Sequence, residues 1–123
     1  MVIIMKTKLE IIITQKMIDD YAEASKDYNP IHIDEEFAKK SIFKSRIAHG
    51  MLTLSIVMEF LYKNLNSEWY RSSTLETRFK NPVYPNEKLI IEYDLNKLSK
   101  NNKIIVKCHK ENGDEILTTI LVL

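Results

Sequence analysis

Met51-Leu-Thr-Leu-Ser-Ile-Val-Met-Glu-Phe-Leu-Tyr-Lys63 is the stretch on which the fold turns. It holds neither Gly nor Pro, and Met51, Leu52, Leu54, Ile56, Val57, Met58, Phe60 and Leu61 fall all round a helical projection. A helix that is apolar all round is buried on several sides. A lone buried helix needs a wrapper, and the residues behind it supply one. Residues 69–80, 88–98, 103–110 and 115–123 read as strands, rich in Ile, Val, Leu, Thr and Tyr. Asn101-Asn102 and Asn112-Gly113 stand between neighbouring strands as turns, the second a strong hairpin signal. Ahead of the helix, residues 2–13 are Ile-rich and predict a first strand. Thr14 is then placed as an N-cap, with Met17, Ile18, Tyr21, Ala22 and Ser25 at helical spacing over residues 15–25. Asn29 precedes Pro30 and must leave the helical region, so residues 26–33 are expected to form a loop. Asp34 caps a brief helix over residues 35–40, with Glu35 and Glu36 placed to suit its dipole. Residues 41–48 are irregular. One curved, mostly antiparallel sheet wrapped around a central helix satisfies this order, which is α+β.

The 123 residues read as a single domain over 1–123. Apolar residues make up 45% of the chain, enough for a core, while so small a domain leaves much surface uncovered and favours self-association. Lys and Arg number 18 against 17 Asp and Glu, and this balance argues against a nucleic-acid partner. Cys108 is the one cysteine, so no internal disulfide or Cys-based metal site can be assembled, and it reads as a packed strand thiol. Residues 1–6 are apolar but too short for a signal peptide and lack a small-residue cleavage site. No apolar run approaches membrane-spanning length. The expectation is a cytoplasmic protein with no membrane partner.

The chemistry-bearing residues lie in Tyr21-Ala-Glu-Ala-Ser-Lys-Asp-Tyr-Asn-Pro-Ile-His-Ile-Asp34 and in Ile47-Ala-His-Gly-Met51. Asp27 and His32 flank Pro30, which stiffens the loop. A carboxylate and an imidazole so placed can converge on one small volume and exchange protons near neutral pH, and neither needs a metal. The plainer alternative makes Asp27 a turn cap and His32 a half-buried polar residue.

In order and spacing, Tyr21-Ala22, Ser25, Asp27, Asn29-Pro30, His32, Asp34, Ala38 and Ile47-Ala48-His49-Gly50-Met51 resemble the MaoC-like (R)-specific enoyl-thioester hydratases, which share the hydratase 2 motif and the hotdog fold. Phe79-Lys-Asn-Pro-Val-Tyr-Pro85 resembles the family's Phe-x-x-Pro-Val strand entry, so the resemblance covers nearly the whole chain. It implies a hydro-lyase interconverting trans-2-enoyl and (R)-3-hydroxyacyl thioesters of coenzyme A or acyl carrier protein, without a cofactor. Asp27 and His32 would hold and activate one water, Asn29 would order the loop or the water, and the Gly50 amide would bind the thioester oxygen. Negative charge grows on that oxygen in the reaction, and helix N-terminal amides favour anions. A turn before a helix is the plain alternative for Gly50. His49 is expected to hydrogen-bond the backbone near the catalytic loop.

Leu54, Ser55, Met58 and Leu61 are candidate acyl-lining residues, against a default as core. Arg46, with Lys44 and Lys80, is a candidate for carrier phosphates, against a default as solvated surface. Glu59 on the same helix offers a thioesterase alternative, since other hotdog branches use a carboxylate there; its plain reading is an end-of-helix charge. A non-catalytic acyl-thioester-binding subunit is the remaining alternative. Lys26 stands where the family commonly has Gly, and Asn86-Glu87 where it often has Gly-Asp. Neither change removes a catalytic atom. Hotdog proteins generally pair edge strands, so a homodimer is expected.

Overall fold

A computed structural model describes residues 7–65, 68–94 and 103–123. Residues 2–6 of the expected first strand, residues 95–98 and the turn at 101–102 lie outside the described residues. Along the chain run β1 (Lys8–Ile12), α1 (Gln15–Ser25), α2 (Pro30–Ile33), α3 (Glu35–Lys39), α4 (Gly50–Asn64), β2 (Thr74–Phe79), β3 (Lys88–Tyr93), β4 (Lys103–Lys110) and β5 (Glu115–Val122). The strands form one sheet in the order β1-β3-β4-β5-β2, and every pairing is antiparallel.

The period-two alternation of the strands sets the inner face. Leu89, Ile91 and Tyr93 of β3, Ile104, Val106 and Cys108 of β4, and Leu117 and Leu121 of β5 join one core cluster with Leu52, Leu54, Val57, Phe60 and Leu61 of α4. The Phe60 and Tyr93 rings lie 5.2 Å apart. Cross-strand register aligns Ile91 with Cys108 and Cys108 with Leu117, so one apolar row crosses the sheet under the helix. Buried Thr119 is satisfied on this face by Thr77, Oγ1 to Oγ1 3.0 Å. His109 pairs with Glu115, leaving Ile116 as the extra residue of a bulge. Gly113, at φ 95°, supplies the left-handed turn residue between β4 and β5.

Two expectations need correction. Residues 69–73 are not strand: Trp69–Arg71 is a 3₁₀ turn, because the buried Trp69 must be set into the core as the chain leaves α4. Residues 30–33 are a helical turn rather than open loop. Asn29 does avoid the helical region, at φ −52° and ψ 125°, yet Pro30 then starts a new turn, as proline at a first helical position can. On α4, expected to be buried on several sides, Leu52, Thr53, Leu54, Val57, Phe60 and Leu61 are buried, while Met51, Ser55, Met58 and Tyr62 form an open flank.

Candidate active site

The site begins at the exit of α1. Ser25 donates from Oγ to the Tyr21 carbonyl at 2.7 Å and accepts from the Asp27 amide at 3.2 Å, while Lys26 adopts a left-handed cap, φ 63°. The Asp27 carboxylate accepts from the Asn29 amide at 3.2 Å. Asn29 Oδ1 accepts from the Ile31 amide at 3.1 Å, and so caps α2. Local hydrogen bonding, with Pro30 behind it, therefore sets the aim of both Asp27 and the turn that carries His32.

His32 Nδ1 lies 2.8 Å from the Ile47 carbonyl. A carbonyl only accepts, so Nδ1 carries the proton and the neutral ring leaves Nε2 as a free lone pair. The Gln15 side-chain amide fastens the other side of the turn, donating to the His32 carbonyl at 2.9 Å. Burial holds the proton affinity of His32 below the ordinary imidazole value; the Ile47 contact opposes this, His49 adds to it and Asp27 opposes it. The ring is thus kept neutral, in the form that can accept a proton.

His49 joins these pieces. It is 2% exposed and occupies the N-cap position of α4. Its Nε2 donates to the Asp27 carbonyl at 3.0 Å, its ring stacks on His32 at a centroid distance of 3.8 Å, and Tyr21 packs against it at 4.9 Å. One buried ring therefore ties the carboxylate's backbone, the imidazole and the start of α4 together.

Donor atoms of Asp27, His32 and His49 lie within 4.8 Å of one another, so the acid and the imidazole do converge. That spacing would also suit a cation. However, both ring protons are directed at carbonyls, which leaves each imidazole a single free nitrogen.

Beside this group the N-terminus of α4 is uncapped: no side chain accepts its first amides and its first turn holds no acid. Gly50 lines a pocket of about 330 Å³ with Phe43, Thr53, Phe79, Val83 and Ile116 among its walls. A Cβ at Gly50 would stand 3.1 Å from Phe79 Cε1, so glycine keeps the backbone open to that pocket.

The other candidates scatter. Leu54 and Leu61 are core. Ser55 turns its hydroxyl back to the Leu52 carbonyl at 2.7 Å, and Met58 is on the open flank of α4. None of them lines the pocket beside Gly50. Arg46 and Lys44 sit on the segment entering the pocket, where Lys80 also lies, although Lys80 pairs with Glu115 at 2.9 Å. Glu59 pairs with Lys63 at 2.7 Å over a separate groove lined by Leu9, Ile11 and Met17. Phe43, Thr53 and Ile116 went unmarked in the sequence, and Phe79 was marked only as part of a strand entry, because a pocket wall assembled from loop, helix and bulge has no periodicity.

Comparison with known proteins gives a consistent picture. Residues 4–116 match the family described as MaoC like domain. The chain is 31% identical over 105 residues to a mitochondrial 3-hydroxyacyl-[acyl-carrier-protein] dehydratase of Arabidopsis thaliana, spanning 81% of this chain and 62% of that one. It is 30% identical over 84 residues to an (R)-specific enoyl-CoA hydratase of Aeromonas caviae, spanning 68% of this chain and 63% of that one. The chain therefore spans less than two thirds of the length of either curated relative. Among solved structures, the unliganded R-hydratase PhaJ1 of Pseudomonas aeruginosa superposes with a TM-score of 0.78 at 22% identity, over 97% of this chain and 78% of that one. That likeness establishes the hotdog fold.

Proposed function

Because the chain belongs to the MaoC-like domain family, we propose that it is a hydro-lyase interconverting trans-2-enoyl and (R)-3-hydroxyacyl thioesters. The observation that carries the reading is the convergence of Asp27 and His32 donor atoms within 4.8 Å, on one braced turn, next to an uncapped helix start.

In the hydration direction, Asp27 and the free Nε2 of His32 hold one water and draw a proton from it as its oxygen bonds to the β-carbon. The same groups return a proton to the α-carbon on that face, so one water is consumed and nothing else is needed. Charge developing on the thioester oxygen is taken up by the Gly50 N–H at the positive end of α4. Asn29 holds the turn. Run backwards, the same steps expel water.

The site also argues for a homodimer. Asp27 and Asn29 are exposed in the single chain, whereas proton transfer of this kind works best with bulk water excluded. Strand β2 is a sheet edge, and Met51, Met58, Tyr62 and Tyr70 are exposed apolar residues. A second copy pairing along β2 would cover that surface and enclose the turn. Within this reading residues 1–123 act as one domain. No helix among the described residues is long and apolar enough to cross a membrane. A reducing, cytoplasmic setting suits Cys108, a lone buried thiol.

Crotonyl-coenzyme A separates this reading from its rivals. A hydro-lyase removes the absorbance of the conjugated double bond without releasing thiol. Release of free thiol identifies a thioesterase, and an acyl-binding subunit does neither; either of those outcomes overturns the reading.

A further inference from the structure

The segment joining α3 to α4 carries charge that the proposed chemistry does not use. Between Phe37 and Arg46 stand Lys39, Lys40, Lys44 and Arg46, and no acid, in a chain whose net charge is only +1. Lys39 is held by Glu36 at 3.3 Å. Among the described residues no ion pair takes up Lys40, Lys44 or Arg46. In the midst of these cations Ile42 is 87% exposed, the most exposed of the large apolar side chains described.

The segment is nevertheless well fastened. The Lys44 amide donates to the Ser41 carbonyl at 3.2 Å, Ser41 Oγ accepts from the Phe43 amide at 3.2 Å, and the Tyr84 hydroxyl donates to the Phe43 carbonyl at 3.2 Å. Phe43, next to Ile42, lines the Gly50 pocket. An exposed isoleucine, flanked in sequence by Lys40, Lys44 and Arg46, which form no ion pair among the described residues, is thus held next to a residue that lines the pocket.

We propose that this segment docks an acyl carrier protein, an acidic protein that presents the thioester at the end of a flexible arm; the proposal rests on the hydro-lyase reading and names the form of its substrate. Unpaired cations steer and hold an acidic partner. A protruding isoleucine serves as an anchor for an apolar groove on that partner, and its fixed backbone lowers the ordering cost of binding. The nucleotide end of coenzyme A offers no such groove, and small molecules are held in concave sites rather than on projecting side chains. A second copy fits less well, since a two-fold contact would set the same cations against each other.

The test compares crotonyl-coenzyme A with the crotonyl thioester of a purified acyl carrier protein, using the full chain and the variants Ile42→Glu and Lys40→Glu. Both side chains are exposed, so the variants should fold. The expected result is a loss of about tenfold or more in kcat/KM for the carrier-linked substrate, with kcat/KM for crotonyl-coenzyme A within about twofold of wild type and a carrier reaction that weakens as salt rises. Equal losses on both substrates, or none on either, overturn the proposal, as does a change in the free enzyme's sedimentation caused by Ile42→Glu. Should the wild type hydrate neither substrate, the hydro-lyase reading falls on its own. Calorimetric titration with the carrier then decides docking: binding lost in Ile42→Glu upholds it, and no binding to wild type overturns it.

Discussion

At the scale of residues, the site depends on an imidazole kept neutral by its surroundings. Because burial lowers the proton affinity of His32, the neutral form persists to pH values at which a free imidazole would be charged. Activity that needs this form is therefore lost only as pH falls through a midpoint below 6.5, the ordinary value. His49 contributes by covering the His32 ring and by charge. His49→Gln should lower kcat by roughly 10–100-fold through misplacement and move the acid limb of kcat/KM upward toward 6.5. A limb that stays in place while only thermal stability falls would reduce His49 to a packing residue. Asp27 and His32 were legible in the sequence because Pro30 and the spacing confine them to one turn. The stacking of His49 on His32 was not, since the whole of α3 separates the two in sequence and only the folded chain brings the rings together.

At the scale of elements, local signals gave sound boundaries where a cap or turn fixes them. Thr14 Oγ1 accepts from the Met17 amide at 3.2 Å, Asp34 Oδ1 accepts from the Phe37 amide at 3.1 Å, and Gly113 turns the last hairpin. Boundaries set by packing across the molecule were missed, as at Trp69. So was the cost hidden at Lys26: its side chain is exposed but its backbone is left-handed, a conformation that suits glycine at a helix end. Lys26→Gly should relieve that strain and raise stability by roughly 0.5–1 kcal/mol in urea unfolding, whereas destabilisation would show that the lysine side chain makes an unrecognised contribution. The same helix-end logic explains why α4 can serve the site. With His49 facing inward and no acid in the first turn, its positive end is left for a ligand.

At the scale of the whole molecule, the central helix was legible in the sequence as apolar all round, and the open flank through Met51, Met58 and Tyr62 is what that pattern leaves over once one sheet has wrapped the other side. The Tyr62 and Tyr70 rings, 5.5 Å apart, extend this surface beyond the helix. Sedimentation should report twice the chain mass at micromolar concentration. Met58→Asp, placing a charge in the middle of the flank, should shift the species toward the single chain and weaken turnover by exposing the Asp27 turn; a wild type that sediments as a monomer at full activity would contradict this assembly. The whole account nevertheless rests on what two side chains do to one water. Its most direct test is the rate of crotonyl-coenzyme A hydration by Asp27→Asn, with circular dichroism to confirm folding. The expected result is a folded protein slower by roughly 10²–10⁴-fold, and a folded variant that hydrates at close to the wild-type rate would contradict the account.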